Sequence, residues 1–68
     1  PLESLSSRER EILQLVVEGK SNKEIAAILF ISNKTVGSYR SRMMKKLDID
    51  NLADLVKFAI RHGIISLE

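Results

Sequence analysis

The sequence predicts an all-α fold, a compact four-helix domain containing a helix-turn-helix. Three observations predict it. Helix-opening signatures recur at Ser6, Ser21, Ser32 and Asn51, apolar residues recur at helical spacing after each, and only a few residues separate one periodic stretch from the next. The spacing places the helices at about 7–18, 22–29, 33–47 and 52–62.

Sixty-eight residues make one small domain, and a chain of this size buries only ~60% of its unfolded surface, so the core must be tightly shared among the helices. A hydrophobic content of 44% with one Pro and three Gly argues for a folded, helix-rich unit. Disulfides and thiolate metal sites are excluded by the lack of Cys, which makes a cytoplasmic setting the easier reading. No apolar run approaches the ~18 residues of a membrane span, and no signal-peptide pattern opens the chain. Pro1 at the start suggests a piece of a longer protein. Residues 1–5 read as a linker tail, 6–66 as the domain, and Leu67-Glu68 as a possible cloning scar.

In the first helix, Ser6 and Glu9 have capping-box spacing: the hydroxyl accepts the third amide and the carboxylate returns to the cap amide. Ile12, Leu13, Leu15 and Val16 supply its buried stripe, and Gly19 is its natural stop. Leu2 and Leu5 are available to fold back on the core. Ser21 and Glu24 repeat the box for the second helix. Its apolar face is Ile25, Ile28 and Leu29, with Ala26 and Ala27 small enough to let a neighbour approach. Phe30-Ile31 then makes a tight apolar turn, and Ser32 caps the third helix with Thr35 at its third position. A short helix, about three residues of turn and a longer helix constitute a helix-turn-helix, whose second member reads DNA. Asn51, with Asp54 in the opening turn, starts the fourth helix. That helix turns Leu55, Val56 and Ala59 inward and stops at Gly63, after which Ile64, Ile65 and Leu67 close the core.

Charge is distributed unevenly along this framework. Residues 32–47 hold Lys34, Arg40, Arg42, Lys45 and Lys46 with no acid, a charge of +5 in a chain whose total is +2. At 100° per residue, Arg40, Met43 and Leu47 fall within about 40° of Val36, while Lys34, Ser38, Ser41 and Lys45 lie within about 40° of the opposite pole. One side is therefore packed, and the other is cationic and hydroxylated, without a bulky apolar residue to block entry into a groove. Ordinary solvated faces mix signs, and this one does not. The first, second and fourth helices also carry an acid in their opening turns, whereas the third has Asn33 and Lys34. Its positive dipole end is left bare, and a phosphate is the ligand such an end attracts. The bland alternative is that Lys34 simply points at solvent.

The segments LSSREREIL, GKSNKEIA, ISNKTVGSYRSRMMKKL and LADLVKFAIRHGII, in that order and spacing, resemble the LuxR/FixJ-type (GerE-like) helix-turn-helix domain. This is the C-terminal output module of many bacterial response regulators and quorum-sensing regulators. The likeness runs from Leu5 to Ile65, and TVGSYRSRMMKKL is similar to the response-regulator branch, in which His or Tyr stands at the position of Tyr39 and Arg follows. It implies that Asn22 and Lys23 lie near the phosphate backbone. It further implies that Lys34, Gly37, Ser38 and Ser41 face bases, that Thr35 and Tyr39 meet phosphates, and that the fourth helix dimerises through Asn51, Leu52, Ala53 and Lys57. Two copies would then bind adjacent half-sites of double-stranded DNA, with RNA polymerase as a further partner. The chain departs from the family at Gly37, where Lys is common. Either the missing side chain lets the helix sit closer to the bases, or this domain reads less sequence and leans on phosphates, which is the reading preferred here because Ser38 and Ser41 are also short.

Tyr39 lies about 60° from the core pole, so its ring can rest on the core edge while its hydroxyl reaches outward. Arg40 points too near the core to be a free phosphate ligand and is expected to pair with a first-helix carboxylate, its stem packed. Arg42 and Lys45 are the firmer choices for backbone neutralisation; for Lys46, solvation and contact are equally open. Met43 and Met44 read as core filling. Leu52 and Ala53 are surplus apolar surface of the kind a modest dimer patch needs. His62 is a lone terminal-turn His, and no metal, cofactor or enzymatic function is expected: there is no triad pattern and no glycine-rich phosphate loop. The competing class is a helical protein-interaction module that docks its basic helix on an acidic partner. A sigma-factor promoter-reading domain is a nearer neighbour without the closing dimer helix.

Overall fold

Each helix begins on a side-chain cap and ends on the same backbone closure. The structure, a computed structural model, describes residues 2–65. It contains α1 (Ser7–Val17), α2 (Asn22–Leu29), α3 (Asn33–Leu47) and α4 (Leu52–Arg61), preceded by a 3₁₀ turn at Leu2–Ser4. Ser6 and Ser21 both form complete capping boxes, Ser6 with Glu9 and Ser21 with Glu24. Ser32 accepts from the Thr35 amide and Asn51 from the Asp54 amide. Glu18 and His62, read as the last helical residues, are instead the C-caps of α1 and α4.

At the other ends, the Lys20 amide donates to the Leu15 carbonyl at 3.0 Å, Ile31 to Ala26 at 3.0 Å, Ile49 to Met44 at 3.0 Å and Ile64 to Ala59 at 2.8 Å. These six-residue closures require a left-handed residue just before the donor. Gly19 and Gly63 adopt it freely, with φ of 96° and 71°. Phe30 and Asp48 adopt it at φ of 58° and 57°, where a side chain costs ~1–2 kcal/mol. Offsetting that cost, Ile31 and Ile49 pack against the core directly after the turns they close, as Ile64 does after Gly63.

Ile12, Leu13, Ile25, Val36, Met43 and Leu55 are fully buried. Around them α3 packs on both α1 and α2, and α1 also packs on α4. The long basic helix is thus held from two sides. Leu5 is only 6% exposed and Leu2 packs against the core, so these two leucines fold back on the helices while Glu3 and Ser4 between them stay exposed.

Three apolar expectations are corrected. Ile28 is 46% exposed, and Ala26 takes the buried position beside Ile25. Ala27 is exposed and offers no approach. Val56 is only half-buried and lies outside the core cluster, whereas Phe58 packs against it. Leu67, expected on the core, and the possible cloning scar at Leu67-Glu68 lie outside the described residues. No helix among the described residues is long and apolar enough to cross a membrane.

Candidate nucleic-acid interface

The candidate surface is the outer side of α3, and the core defines it. Val36 and Met43 are fully buried, with Tyr39, Met44 and Leu47 packed at their edges. That arrangement turns Lys34, Ser38, Ser41, Arg42 and Lys45 outward. Lys34, Ser38, Ser41, Arg42 and Lys45 are all exposed, as one side of a single helix period. Thr35, Gly37 and Tyr39 lie on the flanks, Thr35 and Gly37 half-buried there. No carboxylate occupies the first turn, and Lys45 and Lys46 occupy the last. Among the described residues, the local partner of the bare end is the Ser32 hydroxyl, which takes the Thr35 amide at 3.0 Å and shares a 2.8 Å hydrogen bond with the Thr35 hydroxyl. Thr35 is therefore engaged in the cap as well as standing at the flank.

Arg42 leans over the Tyr39 ring, with its guanidinium carbon 5.5 Å from the ring centroid. The contact restrains a long side chain one turn further on without neutralising its charge. Lys34, Arg42 and Lys45 take part in no ion pair among the described residues.

The other two cations of α3 are committed to the protein, and here the expected pairing is corrected. Arg40 does not meet a first-helix carboxylate; its Nη1 donates to Oδ1 of Asn22 at the start of α2, at 3.0 Å. The partner of the first-helix carboxylate is Lys46, whose Nζ donates to Oε1 of Glu9 at 2.8 Å and to the Ser4 carbonyl at 3.3 Å. Arg40 and Lys46 leave α3 on opposite sides of the core pole, one facing α2 and the other α1. Position on a helical wheel gives the angle of departure, but the neighbour met there depends on how helices are stacked. Glu9 itself is 1% exposed. The Lys46 hydrogen bond, reinforced by the Ser6 amide, holds its carboxyl below the usual value against the opposing effect of burial. Glu24 is lowered too, first by the Ser21 amide and then by the Ser21 hydroxyl.

At α2, Asn22 is half-buried and Lys23 exposed. Arg40 ties the first of them to α3. The residues expected to dimerise cluster on the first half of α4. Asn51 is consumed by shape: its Oδ1 accepts from the Asp54 amide at 2.8 Å, and its Nδ2 donates to Asp50 and Asp54 carboxylates at 2.9 and 3.0 Å. Leu52 is 49% exposed, and Ala53 and Lys57 are exposed. Val56 and Ile60, both half-buried, continue the Leu52 side at four-residue intervals. His62 lies against the Phe58 ring, centroids 4.2 Å apart.

A short helix, a three-residue turn and a longer helix with one basic outer side define the class, a helix-turn-helix nucleic-acid-binding domain. The family follows from comparison: a family model described as bacterial regulatory proteins, luxR family, matches residues 3–59, and the chain belongs to that family. It is 48% identical over 63 residues to the DNA-binding transcriptional activator EvgA of Escherichia coli K12, covering 93% of this chain and 31% of that protein. It superposes on the response regulator ChrA of a heme-sensing two-component system with a TM-score of 0.78 and 41% identity, covering 90% of this chain and 30% of that one. With the transcription factor GerE the TM-score is 0.77 at 39% identity, over 94% of this chain and 96% of GerE. The chain thus spans about a third of the length of curated relatives such as EvgA.

Proposed function

We propose that this domain binds double-stranded DNA sequence-specifically in the cytoplasm, as the output domain of a bacterial two-component response regulator. In this reading α3 lies in the major groove. Lys34, Ser38 and Ser41 face base edges, with Gly37 between them leaving open space; Arg42 and Lys45 neutralise backbone phosphates, and Thr35 and Tyr39 flank them. Asn22 and Lys23 meet the same backbone from α2. Two copies associate through Leu52, Ala53 and Lys57 of α4, with Asn51 shaping the helix start, and RNA polymerase is the further partner at the promoter.

The observation that carries the reading is a single-signed outer side on α3 directly opposite a fully buried one, on a helix with no acid at its positive end. The names of the relatives agree with it and do not favour a protein-docking module. Fluorescence anisotropy with promoter DNA across a salt series tests it. If each monomer neutralises ~4 phosphates, log K falls against log salt with a slope of about −0.9 per contact. A flat salt response, or no binding at about 50 mM salt where phosphate contacts act strongly, would sink the reading.

A further inference from the structure

The hydrogen bond between Arg40 and Asn22 joins the middle of α3 to the first residue of α2. A guanidinium only donates, so the atom of Asn22 it holds at 3.0 Å must be the carboxamide oxygen. The amide is planar, and fixing its oxygen toward Arg40 directs the NH2 group away from it. Neither N–H of that group has a partner among the described residues. Beside it stand the exposed Lys23 and the Asn22 and Lys23 amides, which the helix cannot satisfy internally; the Glu24 amide is already taken by the Ser21 hydroxyl at 3.1 Å, and the Glu24 carboxylate is turned back to the Ser21 amide at 2.8 Å.

We propose that Arg40 is a positioning residue: it holds the Asn22 oxygen inward so that the Asn22 NH2 donates to a DNA phosphate next to the α2 amides. The inference rests on the DNA-binding reading above and assigns Arg40 no phosphate of its own. Without Arg40, the Asn22 amide can rotate, and half of its orientations present an oxygen to the phosphate. Arg40 therefore acts on DNA through its neighbour.

A double-mutant cycle on the 68-residue chain tests this, using a generic duplex of about 20 base pairs because phosphate contacts do not depend on sequence. R40M and N22A should each weaken binding roughly fivefold, and R40M/N22A by no more than about the same fivefold. R40M should leave the salt slope unchanged, whereas a direct phosphate ligand would remove about 0.9 from it. R40K, which can also only donate, should bind within about twofold of the parent. In the free domain, the Arg40 guanidinium resonances should be restrained by NMR and released in N22A.

Losses that multiply to roughly 25-fold, or a slope shallower by about 0.9 in R40M, overturn the proposal while leaving DNA binding intact. So does a folded R40K that binds as weakly as N22A, or a guanidinium unaffected by N22A. A parent domain that fails to bind the duplex while Arg40 remains restrained overturns the DNA reading, and the phosphate role of Asn22 with it.

Discussion

Lys46 and Glu9 form a hydrogen-bonded ion pair at 2.8 Å in which the carboxylate is 1% exposed, so one cation of the basic helix serves the fold rather than a ligand. Glu9 simultaneously accepts the Ser6 amide at 2.8 Å. One oxygen thereby joins the start of α1 to the end of α3. Replacing Lys46 by Met leaves that carboxylate buried without its counter-charge. The expected loss is about 3 kcal/mol, at the lower end for breaking such a pair because the ammonium retains some water. Urea unfolding of K46M measures it, and a loss below about 0.5 kcal/mol would show that the pair behaves as an ordinary surface contact.

The same pair gives stability a pH dependence. The Glu9 carboxyl titrates below its ordinary value in the native state, so the unfolded chain binds a proton first as pH falls. Its contribution is complete above the ordinary carboxyl range of about 4.5 and is lost as pH drops through the lowered native value. Melts between about pH 6 and about pH 3 should therefore show a stability loss that is shallower in K46M than in the parent chain. Equal slopes would disconnect Glu9 from the acid response.

Arg42 and Lys45 stand on the outer side of α3 and enter no ion pair among the described residues, and their removal should spare the fold. R42Q and K45Q are each expected to shift the thermal midpoint negligibly and to reduce the DNA salt slope by about 0.9. Binding isotherms across a salt series would reveal it. K46M in the same assay should change stability and leave the slope alone.

Gly37 sits inside α3, and a Cβ added there would meet nothing within 4 Å, so the protein itself does not require a glycine at this position. G37A should stabilise the domain by about 1 kcal/mol through helix propensity alone. G37K should add a cation on the flank of α3 and steepen the salt slope. If G37A instead weakens DNA binding more than about tenfold, well beyond what one lost contact costs, the glycine exists for close approach to the bases.

Phe30 is 93% exposed and left-handed, so it bears the conformational cost of its turn with little burial in return. F30G should raise stability by about 1 kcal/mol, as read from denaturant midpoints. A destabilised F30G would mean that the ring contributes packing its exposure conceals.

Much of this is legible in the amino-acid order, and the exceptions share a cause. The caps at Ser6, Ser21, Ser32 and Asn51 are local in the chain, and spacing alone reveals them. The outward placement of Lys34, Ser38 and Ser41 follows from one helix's period. Arg40, Lys46 and Ile28 escape such reasoning because their partners depend on the stacking of other helices, which periodicity does not contain. Phe30 and Asp48 are not legible as left-handed residues, since local sterics disfavour what the isoleucine following each one makes worthwhile. Val56 and Ile60 show the same ambiguity on α4: four-residue spacing serves a core and an outer stripe equally.

The three residues between α2 and α3 leave no idle position: Phe30 reverses the backbone, Ile31 anchors in the core and Ser32 caps the next helix. Such a joint has no play. Side chains on the outer side of the rod can be exchanged one at a time, but there is little freedom to tilt the rod itself, because any insertion here would displace an anchor along with it.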